Sequence, residues 1–226
     1  MEKEKDKINW VYYLIELIVV FIGITAGFFL NNWREDYNQS KAEEKYLRGF
    51  YDDILTDSDN LDSLIIRGEI KTDRLLEIAK QSEVINKPLS EELAEAIVLE
   101  MLSIEWFSQS NDTYEDIINS GNLNIISDYE LKEKISSYYS FLKEVRNIEK
   151  FYRDHMDKYG FPILYKSYHL LKRKFISKSV YQSLEFTNMY LGIIALQQQN
   201  TKTYKEALKR NQELKTELVK KLDIKE

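Results

Sequence analysis

Residues 10–33 read WVYYLIELIVVFIGITAGFFLNNW and contain one charged residue, Glu16. A helix of this length measures about 36 Å, more than the roughly 30 Å hydrocarbon core of a bilayer. Aromatic residues that favour the membrane interface stand at its two ends: Trp10, Tyr12, Tyr13 and Trp33. A cleaved secretory signal is the alternative, but the apolar run continues beyond its small residues at 25–27. The stretch predicts a transmembrane helix at 10–33 that follows a short polar tail at 1–9.

The basic residues beside this segment predict its orientation. Lys3, Lys5 and Lys7 precede it closely, whereas Arg34 alone follows at a comparable distance. Cytoplasmic flanks carry the excess of Lys and Arg. We therefore expect a single-pass protein of the bacterial inner membrane with a cytoplasmic N-terminus and a periplasmic soluble domain. Three more basic residues between 41 and 48 reduce the asymmetry, so a cytoplasmic domain is the alternative.

One face of the membrane segment carries a carboxylate and two glycines. Helical spacing places Glu16, Val20, Gly23 and Gly27 on one stripe. A carboxylate is costly in hydrocarbon unless it is partnered or protonated, and small residues let helices approach closely. The stripe predicts association with a second copy or with another membrane protein. The alternative is that Glu16 reaches toward the interface and that the glycines occur there by chance.

Composition predicts helices for the rest of the chain. Only 7 Gly and 2 Pro occur in 226 residues, whereas β folds use such residues at most hairpins. We predict an all-α protein with a long stalk helix at 34–86, and an antiparallel bundle of about five soluble helices that extends over 87–226. The apolar stripe predicted for the stalk helix is Leu47, Tyr51, Ile54, Leu61, Ile65, Leu75 and Ala79. A second repeat, interrupted at Glu149, consists of Leu131, Ile135, Tyr138, Leu142, Val145 and Tyr152.

Local signals predict several helix boundaries. Pro88 disfavours helix at the residue before it, and Ser90 follows as an N-cap. Gly121 ends one helix, and Ser127 opens the next with Glu130 in a capping box. Gly160 and the proline two residues later end that helix. Ser179 and Gln182 form a second capping box, before a last helix that ends near residue 222.

The chemistry of the chain disfavours several classes of protein. A net charge of −6 argues against nucleic-acid binding, and no cysteine is present for thiol catalysis or zinc binding. Neither His155 nor His169 stands in a metal-binding motif, and a Gly-rich phosphate loop is absent. We expect no enzyme, cofactor or metal. Catalysis would require acids from distant helices to converge, such as Asp112, Glu115 and Asp154.

One basic cluster stands out in this acidic chain. It consists of Lys172, Arg173, Lys174 and Lys178, with tyrosines close by in the sequence. Such a patch can contact anionic lipid headgroups or an acidic partner. The alternative is a solvated helix face.

Two blocks of sequence resemble a family of single-span bacterial membrane proteins without an assigned activity. The first block is Glu16, Val19, Val20, Ile22, Gly23, Ile24, Ala26, Asn31, Asn32 and Trp33. The second block is Thr113, Ile117, Ser120, Gly121, Leu123 and Ile126. Together the blocks extend over about half of the chain. The resemblance implies a membrane-anchored helical protein and adds no mechanism.

These observations favour a membrane-anchored helical interaction or scaffold protein, whose partners are the lipid bilayer and either further copies or another membrane protein. A membrane-tethered sensor or small-ligand-binding domain is the alternative. That alternative predicts a pocket between the helices.

Overall fold

The computed structural model describes residues 10–84 and 88–224. Helices make up 85% of the chain with almost no strand, which confirms the predicted all-α class. The elements in chain order are α1 (Trp10–Val84), α2 (Glu91–Leu102), α3 (Asp112–Asn119), a 3-10 turn (Asn122–Ile125), α4 (Tyr129–His155), a π-helical turn (Met156–Gly160), α5 (Phe161–Ser167), β1 (Tyr168–His169), β2 (Lys174–Phe175), α6 (Lys178–Tyr181) and α7 (Leu184–Leu222).

Helix α1 continues without a break from the apolar segment into the packed part of the protein. It contains the stretch that is long and apolar enough to cross a membrane. Every side chain from 13 to 41 is exposed or half-buried, and the first fully buried one is Leu47. The predicted tail at 1–9 and the residues after α1, 85–87, lie outside the described residues.

From Leu47 onward, α1 buries one residue at alternating steps of three and four. This heptad spacing keeps one seam of a helix against its neighbours. The buried positions at this spacing are Leu47, Phe50, Ile54, Asp57, Leu61, Leu64, Gly68, Lys71, Leu75 and Ile78, and Ile65 and Thr72 beside them are buried as well. Two members of the predicted stripe, Tyr51 and Ala79, are half-buried and pack at the edge of the apolar clusters.

The three long helices pack side by side, with α4 parallel to α1 and α7 antiparallel to both. Two side-chain contacts join α1 to α4 at the same offset of 81 residues, Asp57 to Tyr138 and Lys71 to Tyr152. The direction of α7 follows from the bond of Asn211 to the carbonyl of Ile54 near its C-terminal end, whereas its residues 197 and 201 approach Gly68.

Two apolar clusters fill the interior. The cluster nearer the apolar segment joins α1, α4 and α7 around Ile54 and Leu142. The distal cluster joins the end of α1 to α2, β2 and the first half of α7 around Leu75 and Phe175. Buried polar residues lie between and beside these clusters, and they define the candidate site.

Capping side chains confirm some predicted boundaries and correct others. Ser90 caps α2, and Gly121 has the positive φ of 70° that favours glycine after a helix. Ser127 is not the N-cap of α4. Asp128 accepts the Leu131 N–H instead, and Ser127, one residue earlier, donates its N–H and its hydroxyl to Glu43 of α1.

Two further predictions near the distal end were wrong. Gly160 does not end the helical path, since the π-helical turn leads directly into α5 with Pro162 in its first turn. Proline is tolerated there because its missing N–H has no intrahelical partner. Ser179 lies inside α6, and the N-cap of α7 is Ser183, whose Oγ accepts the N–H of Phe186.

Gly68 of α1 lies in close contact with two side chains of α7. A Cβ at this position would lie 2.5 Å from Thr201 Oγ1 and 2.8 Å from Gln197 Nε2. Gly→Ala in a helix ordinarily stabilises by about 1 kcal/mol. We expect Gly68→Ala to destabilise the protein by about 1–3 kcal/mol, because the side chains of Thr201 and Gln197 must move away from the added methyl group. Urea unfolding measures the change, and adding Thr201→Ala should recover most of the loss. Equal or greater stability of Gly68→Ala contradicts this packing.

Candidate functional site

Residues 103–111 connect α2 to α3 without helix or strand hydrogen bonds of their own. Four of their backbone groups are bound instead by side chains from the long helices. Asn60 of α1 binds one of them, and three buried charged residues bind the others: Asp57 and Lys71 of α1, and Glu149 of α4. Buried charges are costly without partners, so this arrangement identifies the candidate site.

Asp57 binds the end of the segment nearest α3. Its Oδ1 accepts the Ser110 N–H at 2.7 Å, and its Oδ2 accepts the Tyr138 hydroxyl at 2.7 Å. Asn211 of α7 donates to the same hydroxyl at 3.2 Å. Burial raises the pKa of Asp57 to about 6, against the opposing effect of these two hydrogen bonds, and the charge of Asp53 raises it further.

Glu149 binds the middle of the segment. Its Oε1 accepts the Phe107 N–H at 2.7 Å and the Tyr204 hydroxyl at 2.6 Å. The carboxylate is 3% exposed, so its hydrogen bonds replace those it would make with water. Burial, followed by the charge of Glu149, raises the pKa of Tyr204, so the phenol stays a donor.

Lys71 binds the start of the segment. Its Nζ donates to the Ser103 carbonyl at 2.7 Å and to the Tyr152 hydroxyl at 3.0 Å. Burial lowers the pKa of Lys71 to about 8, against the opposing charges of Glu100 and Glu105. Each of the three buried charges therefore contacts one tyrosine and one backbone group of residues 103–111.

A cavity of about 250 Å³ lies beside Lys71. Its wall contains three cations, Arg67, Lys71 and Arg74, and two carboxylates, Glu100 and Glu105. Arg74 Nη1 lies 3.1 Å from Glu100 Oε1, and Arg67 is paired with Glu105. Ion pairs of this kind at a surface are weak, so these side chains can rearrange around a bound molecule.

The predicted membrane stripe lies on one face of α1. Glu16, Val20, Gly23 and Gly27 are exposed, and a Cβ at either glycine would meet no atom within 4 Å. The predicted interface residues Trp10, Tyr13 and Trp33 are exposed as well. The side chain of Tyr12 lies outside the described part of the chain.

The predicted basic patch lies on the β1–β2 hairpin and the start of α6, and not along one helix face. Lys172 and Arg173 occupy the turn, Lys174 begins β2, and Lys178 begins α6. None of the four forms an ion pair in the described part of the chain. Exposed apolar residues accompany them: Tyr165, Leu170, Leu171 and Ile176. We call these eight residues the hairpin patch.

The acids considered for catalysis do not converge. Asp112 and Glu115 are exposed on α3, which packs against α1 near Gly49, whereas Asp154 is exposed near the distal end of α4. Among the described residues no cluster of three His, Cys, Asp or Glu side chains could hold a metal. The His155 ring contacts α7, with Nε2 at 2.9 Å from the Met189 carbonyl oxygen.

Asp57 and Lys71 were not among the site residues predicted from the sequence, and Glu149 was predicted only as an interruption of the α4 repeat. Their spacing could have identified them, because all three stand at positions that continue an apolar heptad repeat on α1 or α4. A charged residue at such a position needs a specific partner. The partner, residues 103–111, has no recognisable pattern of its own.

Comparisons with protein-family models, curated proteins and solved structures find no match for this chain.

Asp57 gives the stability of the protein a particular dependence on pH. The folded protein holds a proton on Asp57 up to about pH 6, whereas the usual pKa is 3.8. The folded state therefore binds more protons between these values, and stability falls as pH rises through them. Because a tenfold change in a dissociation constant corresponds to about 1.4 kcal/mol, the difference amounts to about 3 kcal/mol.

We expect Asp57→Asn to lose this dependence. The free energy of unfolding of the variant minus that of the wild type should increase by up to about 3 kcal/mol from pH 4 to pH 7. Urea unfolding followed by circular dichroism at each pH measures the difference. The control is Asp59→Asn, on the exposed face of α1, whose profile should parallel the wild type. A parallel profile for Asp57→Asn contradicts the raised pKa.

Proposed function

We propose that this chain is a membrane-anchored helical interaction protein of the bacterial inner membrane. The continuity of α1 from Trp10 to Val84 carries the proposal. One helix supplies both the apolar segment and a seam of the packed interior. Any partner that binds the apolar segment is thereby joined to the bundle formed by α1, α4 and α7, without a flexible linker.

The exposure of the apolar segment supports a membrane location. Phe21, Phe29 and Leu30 are each about two-thirds exposed or more, and their neighbours in the segment resemble them. Leaving a large apolar side chain in water forgoes about 1.5–3 kcal/mol. A bilayer removes this cost for the whole segment, and its interfaces suit the terminal tryptophans. The lysine excess before the segment favours a cytoplasmic N-terminus and a periplasmic bundle.

Helix association is the role that we propose for the stripe of Glu16, Val20, Gly23 and Gly27. The open space around both glycines leaves room for the backbone of a second helix. A facing helix can also supply a hydrogen-bond partner for Glu16. A second copy places the same stripe opposite itself, as a two-fold symmetric interface requires.

The hairpin patch is the second contact surface in this proposal, and an acidic protein is its partner. Residues 158–184 contain six basic side chains and no carboxylate, in a chain of net charge −6. Leu171 is 93% exposed at the turn between the strands. Tyr168 and Phe175 of the same hairpin belong to the distal cluster together with Ile78, which lies about 65 Å along α1 from Trp33. That distance keeps the patch away from the bilayer that α1 crosses.

Mass photometry of the full chain in nanodiscs tests the stripe. We expect a defined oligomer for the wild type and at least about tenfold weaker association for Gly23→Leu, because Leu would hold the helices apart. The matched control is Thr25→Leu on the opposite face, which should assemble normally. Glu16→Gln should also assemble, since a carboxamide can bond across the interface. Monomers throughout, or equal loss in Gly23→Leu and Thr25→Leu, would contradict assembly through this face.

Photocrosslinking in cells tests the hairpin patch. A photoreactive phenylalanine analogue at position 171 should give a discrete product with an acidic protein segment, and the same analogue at position 209 should not. Lys172→Glu with Lys174→Glu should reduce the yield at least about tenfold, because charge reversal repels an acidic partner. A product that persists after charge reversal contradicts the proposal. Binding of the nanodisc protein to anionic vesicles alone would identify lipid as the ligand instead.

A further inference from the structure

Lys71 is a buried cation whose direct partners are both neutral. It is 7% exposed, and its Nζ contacts a backbone carbonyl and the Tyr152 hydroxyl. The face of the Tyr152 ring, 5.4 Å from Nζ, adds a weak attraction. An ammonium group has three donors, so one N–H of Lys71 is left over. Buried charges are ordinarily matched by an opposite charge in contact with them.

The carboxylates nearest to Lys71 are occupied by arginines. Glu100 pairs with Arg74, and Glu105 pairs with Arg67. Three cations and two carboxylates leave this wall of the cavity with one positive charge in excess. The lowered pKa of Lys71 agrees with a cation that lacks a counter-ion.

The cavity provides the space for that counter-ion. Its volume of about 250 Å³ compares with roughly 30 Å³ for each molecule of liquid water, so a molecule of several heavy atoms fits. Ile70 and Leu64 supply apolar wall, and Gln197 supplies an amide. A single excess charge suits a monoanion better than a dianion, since a second negative charge would face Glu100 and Glu105.

We propose that the cavity between α1, α7 and residues 103–105 binds a small organic carboxylate, whose negative charge neutralises Lys71. Arg67 and Arg74 border the entrance and assist by exchanging their glutamate partners for the ligand. The site does not depend on the membrane role proposed above, because every residue in it belongs to the packed part of the chain. A bound carboxylate would also attach residues 103–105 more firmly to α1.

Acetate is the probe, with inorganic phosphate as the dianion and chloride at equal ionic strength as the baseline. The full chain in nanodiscs is heated at increasing acetate, and we expect a saturable rise in Tm with a Kd on the order of 1 mM, within the limit for four heavy atoms. Lys71→Met should weaken binding at least about tenfold. Lys209→Met, at an exposed position of α7, should respond as the wild type does.

Reductive methylation of the wild type with mass spectrometry gives a second readout that needs no variant. Acetate should slow modification of Lys71 severalfold and leave Lys209 unchanged. If Lys71→Met fails to fold, this footprint decides the question. Three results would overturn the proposal: no saturable response to acetate, equal protection of both lysines, or an unchanged response in folded Lys71→Met. Stronger binding of phosphate than of acetate would overturn the assignment to carboxylates.

Discussion

The hydrogen bonds from Asp57, Lys71 and Glu149 to residues 103–111 are the interaction on which the rest of this structure depends. An irregular segment beside a helical interior has donors and acceptors that no helix satisfies. The three side chains supply them from positions where the heptads of α1 and α4 would otherwise place apolar groups. Loss of the segment would remove one hydrogen bond from each of the three buried charges, at a cost of several kcal/mol in all. The segment therefore stabilises the seam between the helices.

The same bonds fix the register of α1 against α4. Asp57 meets Tyr138 and Lys71 meets Tyr152 at one common offset. A slip of one heptad would preserve most apolar contacts but would place Val145 opposite one of the charged residues. Purely apolar seams tolerate such slips, whereas a buried polar residue excludes them. Specificity of pairing is thus a function that these charges perform in addition to holding residues 103–111.

Features that arise from local patterns were predictable from the sequence. The apolar segment, the repeat on α4 and the Ser90 cap each depend on neighbours within a few residues, and the structure contains all three. The N-cap of α4 is Asp128 and not Ser127, which donates instead to Glu43, 84 residues away. The path of residues 103–111 could not be predicted either, because its hydrogen-bond partners lie on helices that are distant in the sequence.

Neither the hairpin nor the cavity could be predicted from the sequence, and the reasons differ. Two strands of two residues each are too short to produce an alternating pattern, so the basic cluster there had no predicted backbone. The cavity is bounded by three separate parts of the chain, and only their packing reveals it. A charged residue at a heptad core position, as at Lys71, was the one clue that sequence offered.

The uninterrupted course of α1 also makes it a lever. Its exposed part and its packed part belong to one continuous helix that contains no proline, so no proline kink separates them. A change of about 10° in the tilt of the apolar segment, small within the range of tilts seen for spanning helices, displaces a point about 65 Å away by about 11 Å. In the membrane location proposed above, lateral crowding or a change of bilayer thickness at one end would therefore produce a movement of this size at the other end.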